Sequence, residues 1–307
     1  MASYITVDGG TTNTRLYLIE NGSLTATRAI PLGARANREG DGALARAMHD
    51  AIAELRSLCK GRITRILASG MITSEMGLCP LPHLPAPAGV AELHDAMCEV
   101  SLPEISDVPF VFMRGVKLTG KTLEGCDMMR GEETELIGMG AERDALVILP
   151  GSHSKLIRTD VCGRISHFET LLSGEMMWAL AKETILKDSF TFGESALSPD
   201  PLFDGYLYAK EHGINAALFK VRVLRNLCGG SEDDAYSFFM GVTLAGEIDE
   251  VIKFAPSRIV IGGRKAIREA MSLLLARVCQ IPVRVLSDDE VTLSVSRGMI
   301  RIYEYEV

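Results

Sequence analysis

A short polar loop after the first apolar strand holds residues suited to chemistry. In "DGGTTN", Asp8 ends the strand and is followed by Gly10, Thr11, Thr12 and Asn13. Glycines after a strand let consecutive backbone N–H groups point into one concavity, and the polar side chains add donors. Such a loop suits a phosphate, and the carboxylate of Asp8 suits Mg²⁺ held through water. On this motif alone, a glycine hairpin whose hydroxyls satisfy their own backbone is an equal alternative.

A second loop repeats this design later in the chain. Residues 151–163 match residues 10–22 in pattern: each stretch has a glycine, small polar residues, a strand and a turn glycine, and then another strand. The second loop, "PGSHSK", offers Gly151, Ser152, His153, Ser154 and the positive charge of Lys155. Two facing loops can hold the β- and γ-phosphates between them, whereas a single loop would be ambiguous evidence for a phosphate site. Gly262 and Gly263, after the strand "IVI", suit adenosine or the α-phosphate, with close helix–sheet packing as a nearly equal alternative.

The elements around these loops indicate an α/β fold. Strands alternate with helices, and Asn21-Gly22 is typical of a tight turn between two of the first three strands. Another pattern predicts a helix over 41–59, because apolar residues recur three and four positions apart at Leu44, Met48, Ile52, Leu55 and Leu58. A further helix is predicted over "MRGEETELIGMG". Two distant copies of one design indicate duplicated domains with a cleft between them, rather than a solenoid.

Composition excludes several classes of protein. The 307 residues are 47% hydrophobic and 23% charged, which is enough for a packed core in each of two domains. A net charge of −8 argues against nucleic acid or an anionic membrane surface as partner. Seven cysteines without C-x-x-C spacing, and histidines without ligand spacing, predict neither disulfides nor a zinc centre. Because no export signal or membrane span is evident, we expect a cytoplasmic protein that acts on small molecules.

Four motifs resemble those of one enzyme family. "DGGTTN" at 8–13, "MRGEET" at 129–134, "PGSHSK" at 150–155 and "FMGVTLAGE" at 239–247 are similar in order and spacing to the 2-dehydro-3-deoxygalactonokinases. That family belongs to the actin, heat-shock-ATPase and sugar-kinase superfamily. The resemblance implies two ribonuclease-H-like domains, at 1–140 and 141–307, the second with a helical insertion at about 181–254. It also implies ATP and Mg²⁺ as cofactors, with phosphorylation of a 2-keto-3-deoxy sugar acid to its 6-phosphate.

The resemblance also suggests catalytic residues. Sugar kinases of this superfamily carry an aspartate at the start of a helix before the second phosphate loop, and Asp127 occupies that position here. An aspartate within reach of the attacking hydroxyl can accept its proton, and Glu132 and Glu133 are the competing candidates. On a helix that starts near Asp127, Arg130 would share its face and reach an anionic substrate or the γ-phosphate. Without the resemblance, a solvated acidic helix face would be the favoured interpretation.

Two further loops are candidates for contact with the acceptor. The resemblance puts "GARAN" at 33–37 and "ASGMITS" at 68–74 over the sugar-acid pocket, where Arg35 could pair with a carboxylate. The candidate substrate contacts are Gly33, Arg35, Asn37, Ser69, Gly70, Met71 and Glu132. This chain departs from the family at Gly9, where a tryptophan is usual, and in "GMITSEMGL", which lacks an arginine and an aromatic residue. The departures concern the acceptor rather than phosphoryl transfer.

Three alternatives remain open at this stage. The chain could be a related sugar or sugar-acid kinase with another acceptor, or a nucleotide-regulated sensor without catalysis. Residues 115–122, "GVKLTGKT", match the P-loop pattern of other NTPases, although the glycine soon after Thr122 disfavours the long helix that a P-loop needs. The sequence also leaves open whether the protein is a monomer or a homodimer.

Overall fold

The computed structural model describes residues 3–38, 40, 42–140, 142–193 and 195–306. Within these ranges the strands, numbered in chain order, are β1 (Ser3–Gly9), β2 (Thr14–Glu20), β3 (Ser23–Ile30), β4 (Ile63–Gly70), β5 (Leu84–Pro85), β6 (Cys98–Val100), β7 (Phe110–Phe112), β8 (Val116–Leu118), β9 (Asp127–Met129), β10 (Leu146–Leu149), β11 (Ser154–Thr159), β12 (Ile165–Leu171), β13 (Ile259–Ile261) and β14 (Val283–Val285). The helices are α1 (Ala34–Arg38), α2 (Ala43–Leu58), α3 (Val90–Asp95), α4 (Glu132–Gly138), α5 (Ser173–Glu183), α6 (Pro199–His212), α7 (Ile214–Leu227), α8 (Glu232–Lys253), α9 (Lys265–Val278) and α10 (Asp288–Tyr303). Strands and helices alternate along much of the chain, which confirms the predicted α/β class.

The chain divides into two compact units. The first comprises residues 1–143, 160–167 and 288–307, and the second comprises 144–159 and 168–287. These units differ from the predicted domains at 1–140 and 141–307 chiefly because the C-terminal helix α10 lies in the first unit. There it packs against α3, α4, β1 and β4. None of the helices described is long and apolar enough to cross a membrane.

A six-stranded sheet in the order β3-β2-β1-β4-β7-β6 forms the centre of the first unit. Strands β1, β2 and β3 are antiparallel neighbours, whereas β1, β4 and β7 run parallel. Asn21 and Gly22 join β2 to β3 with φ values of 55° and 76°, so the predicted tight turn is confirmed. The parallel strands end together at one edge of the sheet, where loops commonly bind ligands.

Helix α2 covers the first sheet with its apolar face. Leu44, Met48, Ile52 and Leu55 are buried in the core with the strands, as their spacing predicts. Leu58 is 46% exposed, so its predicted place on the buried face is wrong. It is the last residue of α2.

A five-stranded sheet in the order β12-β11-β10-β13-β14 forms the centre of the second unit. Strands β10 and β11 are antiparallel, and β10, β13 and β14 are parallel. This order and these directions match those of β2, β1, β4 and β7 in the first unit, so the sequence repeat corresponds to a repeat of topology. The predicted helical stretch begins earlier than expected, because α5 already starts at Ser173.

Candidate active site

The first loop presents backbone amides that the protein itself does not use. Gly10 donates to the Asn13 carbonyl at 2.9 Å, which closes the turn between β1 and β2. Within the ranges that the structure describes, the amides of Thr11, Thr12 and Asn13 donate to no protein acceptor. Backbone donors of this kind suit an anion, because an unused N–H group is costly unless solvent or a ligand accepts from it.

Helix α1 supports this loop from the side. The Ala34 amide donates to the Gly10 carbonyl at 3.0 Å, and the Arg35 amide donates to the Thr11 carbonyl at 3.1 Å. A Cβ atom on Gly33 would lie 2.5 Å from the Gly10 oxygen, so only glycine allows this approach. Gly33 therefore shapes the first loop, while the Arg35 side chain is exposed.

Asp8 lies at the carboxyl end of β1 with 29% of its side chain exposed. Burial by surrounding protein raises the pKa of its carboxyl group, Arg15 opposes that rise, and the negative charge of Glu132 adds to it. The Arg15 guanidinium is 3.8 Å from Asp8 Oδ2, which is a loose pairing. The negative charge of Glu132 thus acts on Asp8 at this edge of the sheet.

Helix α4 positions Glu132 at its first turn. The preceding Gly131 has φ 111° and φ values in that range favour glycine. A Cβ atom on Gly131 would lie 3.2 Å from the Gly70 Cα atom, so the helix start packs closely on the end of β4. Ser69 and Thr134 share a hydrogen bond of 2.7 Å between their buried hydroxyls, which fixes this contact. Ser69, a predicted substrate contact, therefore positions α4 from the interior.

Glu133 is fully buried and engaged with its own helix start. Its two oxygens accept the Gly131 amide at 2.9 and 2.8 Å, and one accepts the Thr134 hydroxyl at 3.1 Å. Burial, followed by the charge of Glu132, raises the pKa of Glu133 to about 8. Glu132 is only partly buried, and its Oε2 accepts the Arg130 amide at 2.9 Å. Of the two glutamates, Glu132 is the one that solvent or a ligand can reach.

Asp127 does not begin a helix, so the predicted helix start is wrong. Asp127 lies in strand β9, which pairs with β8 so that Asp127 is opposite Leu118. The helix begins at Glu132, because Gly131 adopts a left-handed φ that interrupts any helix from Asp127. The expectation that Arg130 shares a helix face with Asp127 is wrong for the same reason. The carboxylate of Asp127 accepts the Met128 amide at 2.6 Å.

The Arg130 guanidinium donates its hydrogen bonds to groups of the protein rather than being free to bind a ligand. Its Nη1 donates to the carbonyl and the hydroxyl of Thr73, both at 2.7 Å. Its Nη2 donates to the Leu81 carbonyl at 3.0 Å and lies 3.3 Å from His83 Nδ1. Burial, with the charges of Arg130 and Lys117, lowers the pKa of His83 to about 4, so the ring is neutral and can accept this hydrogen bond. Arg130 thus fastens the 71–83 segment to the start of α4.

The remaining predicted acceptor contacts form a scaffold around the same segment. Asn37 donates from Nδ2 to the Met76 and Gly77 carbonyls at 3.2 and 2.8 Å. Gly70 has φ 89°, and a Cβ atom there would lie 2.6 Å from the Gly9 oxygen. That approach requires glycine at position 70, while a Cβ atom on Gly9 would lie 2.6 Å from the Ile72 Cβ atom, which is a physical reason for glycine at position 9. Met71 follows at the start of a 3₁₀ turn and is partly exposed.

The second loop repeats the donor pattern of the first. In the described part of the chain, the amides of Gly151, Ser152 and His153 also donate to no protein acceptor. A Cβ atom on Gly174 would lie 2.1 Å from the Gly151 oxygen, so the start of α5 packs directly on this loop. His153 is exposed, with Nε2 3.3 Å from a Glu175 carboxylate oxygen. The two loops share their order of elements and their unused amides.

Strand β11 continues from this loop into the interior. Ser154 and Lys155 are 0% and 4% exposed, so neither is a surface residue. The Ser154 hydroxyl and both carboxylate oxygens of Glu247, on α8, are buried and make no hydrogen bond with a described atom. Burial raises the pKa of Glu247 to about 7, and the nearby Ser154 hydroxyl opposes that rise. The motif "FMGVTLAGE" ends at Glu247, but its burial depends on tertiary packing and was not predicted.

The Gly-Gly pair after β13 packs on the same loop. Gly263 has φ 65°, and a Cβ atom there would lie 2.3 Å from the Pro150 oxygen. The Gly262 amide donates to the Ile148 carbonyl at 2.9 Å, and the Arg264 amide donates to the Pro150 carbonyl at 2.7 Å. Arg264 also donates to the Ser152 hydroxyl at 3.1 Å. Close packing is therefore one reason for these glycines, at the point where α9 begins.

The P-loop interpretation of residues 115–122 is wrong. Val116–Leu118 forms β8 within the three-stranded sheet β5-β8-β9. A single 3₁₀ turn, Leu123–Gly125, follows in place of the long helix that a P-loop lysine and threonine should open. Among the described residues there is also no group of three or more side chains arranged to hold a metal through protein ligands alone.

Comparison with protein families gives a match over nearly the whole chain. A model of the 2-keto-3-deoxy-galactonokinase family matches residues 8–302. A protein of Rhizobium meliloti (strain 1021), described as a probable 2-dehydro-3-deoxygalactonokinase, is 29% identical over 259 residues, covering 80% of this chain and 79% of that protein. The 2-dehydro-3-deoxygalactonokinase of Escherichia coli (strain K12) is 25% identical over 254 residues, covering 80% of each chain.

Solved structures confirm the fold. A crystal structure of a protein of Sinorhizobium meliloti, described as a putative 2-dehydro-3-deoxygalactonokinase, has a TM-score of 0.80 at 23% identity and covers 97% of each chain. The activator of 2-hydroxyisocaproyl-CoA dehydratase from Clostridium difficile, solved with ADPNP, has a TM-score of 0.52 at 12% identity, covering 98% of this chain and 95% of that one. The predicted actin-like architecture of two ribonuclease-H-like halves is therefore the fold of this chain.

Proposed function

The chain belongs to the 2-keto-3-deoxy-galactonokinase family, and from that premise we propose that it transfers the γ-phosphoryl group of ATP to a hydroxyl of a 2-keto-3-deoxy sugar acid. The acceptor that we favour is 2-dehydro-3-deoxygalactonate, the substrate in the names of two relatives, with the 6-phosphate as product. We also propose that the enzyme acts in the cytoplasm, because all seven cysteines are free thiols, as a reducing compartment maintains them.

The observation that carries this proposal is that Asp8, at the carboxyl end of β1, feels the negative charge of Glu132, at the start of α4. Each carboxylate lies beside a close glycine approach, and Glu132 raises the pKa of Asp8. Two acidic groups beside a loop of unused amides suit phosphoryl transfer, which depends on positioning and on neutralisation of developing charge. A sensor would need the loop but not the second carboxylate.

Glu132 is the general base in this proposal. The acceptor hydroxyl attacks the γ-phosphorus, its proton passes to the Glu132 carboxylate, and ADP leaves with the electrons of the broken P–O bond. Glu133 is unsuited to this role because it is fully buried and its oxygens are engaged by Gly131 and Thr134. Asp127 was favoured as the base because it was expected to begin a helix. It lies instead on β9 of the three-stranded sheet, so that reason no longer applies.

The unused amides of the two loops bind the phosphates of ATP in our proposal. Residues 11–13 and 151–153 each offer three backbone amides that no described protein group accepts, and anionic oxygens accept strongly from such groups. Gly262 and Gly263 precede the N-terminus of α9, which suits the adenosine side of the nucleotide. The packing of Gly263 against Pro150 fixes this turn beside the second loop.

A divalent cation fits the first unit. Asp8 would hold it, mainly through water, because Mg²⁺ retains much of its hydration shell and needs few protein ligands. Burial, with a smaller contribution from Glu132, raises the pKa of Asp8, and a nearby cation would favour its charged form. When bound, the cation would neutralise negative charge on the transferred phosphoryl group.

The test is acceptor-dependent ADP formation by the purified protein with Mg²⁺ and ATP. The panel contains 2-keto-3-deoxygalactonate, 2-keto-3-deoxygluconate, simple hexoses and no acceptor, and ³¹P NMR identifies the phosphorylated carbon. We expect turnover with a keto-deoxy acid alone and its loss on addition of EDTA. Turnover with a hexose instead would identify a different sugar kinase, and ATP binding without any turnover would favour the sensor.

A further inference from the structure

Arg114 lies where the acceptor site of the first unit should be. It follows β7, and the Met113 amide donates to the Ala68 carbonyl at 2.8 Å, which extends the parallel pairing with β4 by one residue. Arg114 therefore leaves the sheet at the same edge as Gly9 and Gly70, which end β1 and β4 and lie next to Asp8. Ligands of open α/β sheets bind outside this edge.

The backbone after Arg114 packs against the segment that leads to the general base. A Cβ atom on Gly115 would lie 2.7 Å from His83 Cδ2 and 3.2 Å from the Arg130 Cα atom. Arg130 is two residues before Glu132, and the same arginine fastens the 71–83 segment. Arg114 is thus adjacent to the residues that shape the proposed acceptor pocket.

The guanidinium of Arg114 has no partner of its own. Among the described residues it makes no hydrogen bond or ion pair, and its Nε atom is buried without an acceptor. Arg130, by contrast, donates to three groups of the protein. A buried charged donor without an acceptor is costly, and a native site that retains one is expected to receive its acceptor from a ligand or from water.

The surroundings of Arg114 favour a ligand with negative charge. His83, packed against Gly115, is neutral because burial and the charges of Arg130 and Lys117 lower its pKa. Arg130 and Lys117 therefore place positive charge near His83, which packs beside Gly115. A planar carboxylate matches a guanidinium fork and can accept two hydrogen bonds from it. In a 2-keto-3-deoxy sugar acid, the carboxylate is at the opposite end of the carbon chain from the 6-hydroxyl that Glu132 would deprotonate.

We propose that Arg114 binds the carboxylate of the sugar-acid acceptor and so determines that the enzyme accepts an acid rather than a neutral sugar. This assignment rests on the proposed function. It replaces Arg35, whose side chain is exposed beside the first loop, as the residue that pairs with the substrate carboxylate.

The test compares two acceptors with each variant. One is 2-keto-3-deoxygalactonate, and the other is the matching 3-deoxy-2-ketohexose, in which a hydroxymethyl group replaces the carboxylate. For Arg114→Gln we expect kcat/KM for the acid to fall about 100-fold, because the charge-assisted pair is lost. The kcat/KM for the neutral sugar and the KM for ATP should stay unchanged. Arg114→Lys, which keeps the charge and loses the fork, should fall between wild type and Arg114→Gln.

Two further variants make the result decisive. Arg62→Gln makes the same charge change at an exposed position just before β4, at the opposite edge of the sheet, and should keep the wild-type preference for the acid. Arg35→Gln tests the competing assignment. The proposal is overturned if folded Arg114→Gln or Arg114→Lys keeps the wild-type acid-to-neutral ratio, or if Arg35→Gln alone loses it. A wild-type protein that uses neither acceptor would instead refute the proposed function.

Discussion

Two glutamates with strongly raised pKa values show how single residues depend on their surroundings. Glu133 has a pKa of about 8 because of burial and the charge of Glu132, although the Gly131 amide and Thr134 hydroxyl oppose the rise. Glu247 has a pKa of about 7, also because of burial, and its oxygens make no hydrogen bond with a described atom. Neither value follows from the sequence, since each depends on residues brought together by folding.

Glu247 should make the protein less stable as pH rises. The pKa is 4.5 in the unfolded chain and about 7 when folded, so between these values the folded protein binds more protons. Unfolding free energy therefore falls through this window, by about 3 kcal/mol at 1.36 kcal/mol per pKa unit. Glu247→Gln cannot ionise, so its Tm should exceed that of wild type progressively from pH 5 to pH 8.

Thermal unfolding across this pH range checks the prediction. Glu211→Gln is the matched control, because the Glu211 side chain is 77% exposed, and its Tm difference from wild type should not change with pH. A constant Tm difference between Glu247→Gln and wild type would mean that Glu247 is not a destabilising buried acid.

Among the helices, strands and turns, local sequence patterns predicted correctly the features that depend only on neighbouring residues. Asn21-Gly22 predicted the hairpin because the turn itself selects those residues. The start of α4 was predicted too early, because "DMMRGEE" has few helix-breaking residues. In the structure, the positive φ of Gly131 and the pairing of β9 with β8 prevent a helix from forming before Glu132. The pairing joins residues from separate parts of the chain, and single-residue propensities carry no information on it.

Helices α4 and α10 approach each other through glycines. A Cβ atom on Gly138 would lie 1.7 Å from the Ser294 oxygen, and one on Gly298 would lie 1.8 Å from the Thr134 oxygen. An alanine at either position would force the helices apart. Because Glu132 is on the first turn of α4, this crossing also positions the proposed base.

Gly298→Ala should therefore lower both stability and activity. We expect a loss of at least about 2 kcal/mol in unfolding free energy, because the added methyl meets backbone rather than a movable side chain. Gly246→Ala is the control: it lies within α8 with open space around its Cα, and it should gain about 0.5–1 kcal/mol. Denaturant unfolding measures both, and equal stabilities for the two variants would contradict the close crossing.

At the scale of the whole molecule, the sequence predicted the repeated topology but not which residues belong to each of the two compact units. The glycine spacing at 10–22 and 151–163 indicated two copies of one sheet, and the five strands of the second sheet follow the order of β3-β2-β1-β4-β7 in the first. Helix α10 follows the second copy in sequence but packs on α4 and β1 of the first unit. Its apolar face could serve either unit, so sequence periodicity did not determine its partner. Arg114 was missed because it became a candidate only once its position at the sheet edge and its lack of a partner were known.

In the proposed mechanism, phosphoryl transfer takes place around Asp8 and Glu132, with Glu132 as the base. The most direct test is the acceptor-dependent kcat of Glu132→Gln beside that of Asp127→Asn. Each replacement removes one carboxylate with little change in shape. We predict a fall of about 10²- to 10⁴-fold for Glu132→Gln with an unchanged KM for ATP, and a kcat within about threefold of wild type for Asp127→Asn. A large fall in kcat for Asp127→Asn, with little change for Glu132→Gln, would contradict this assignment and identify Asp127 as the base.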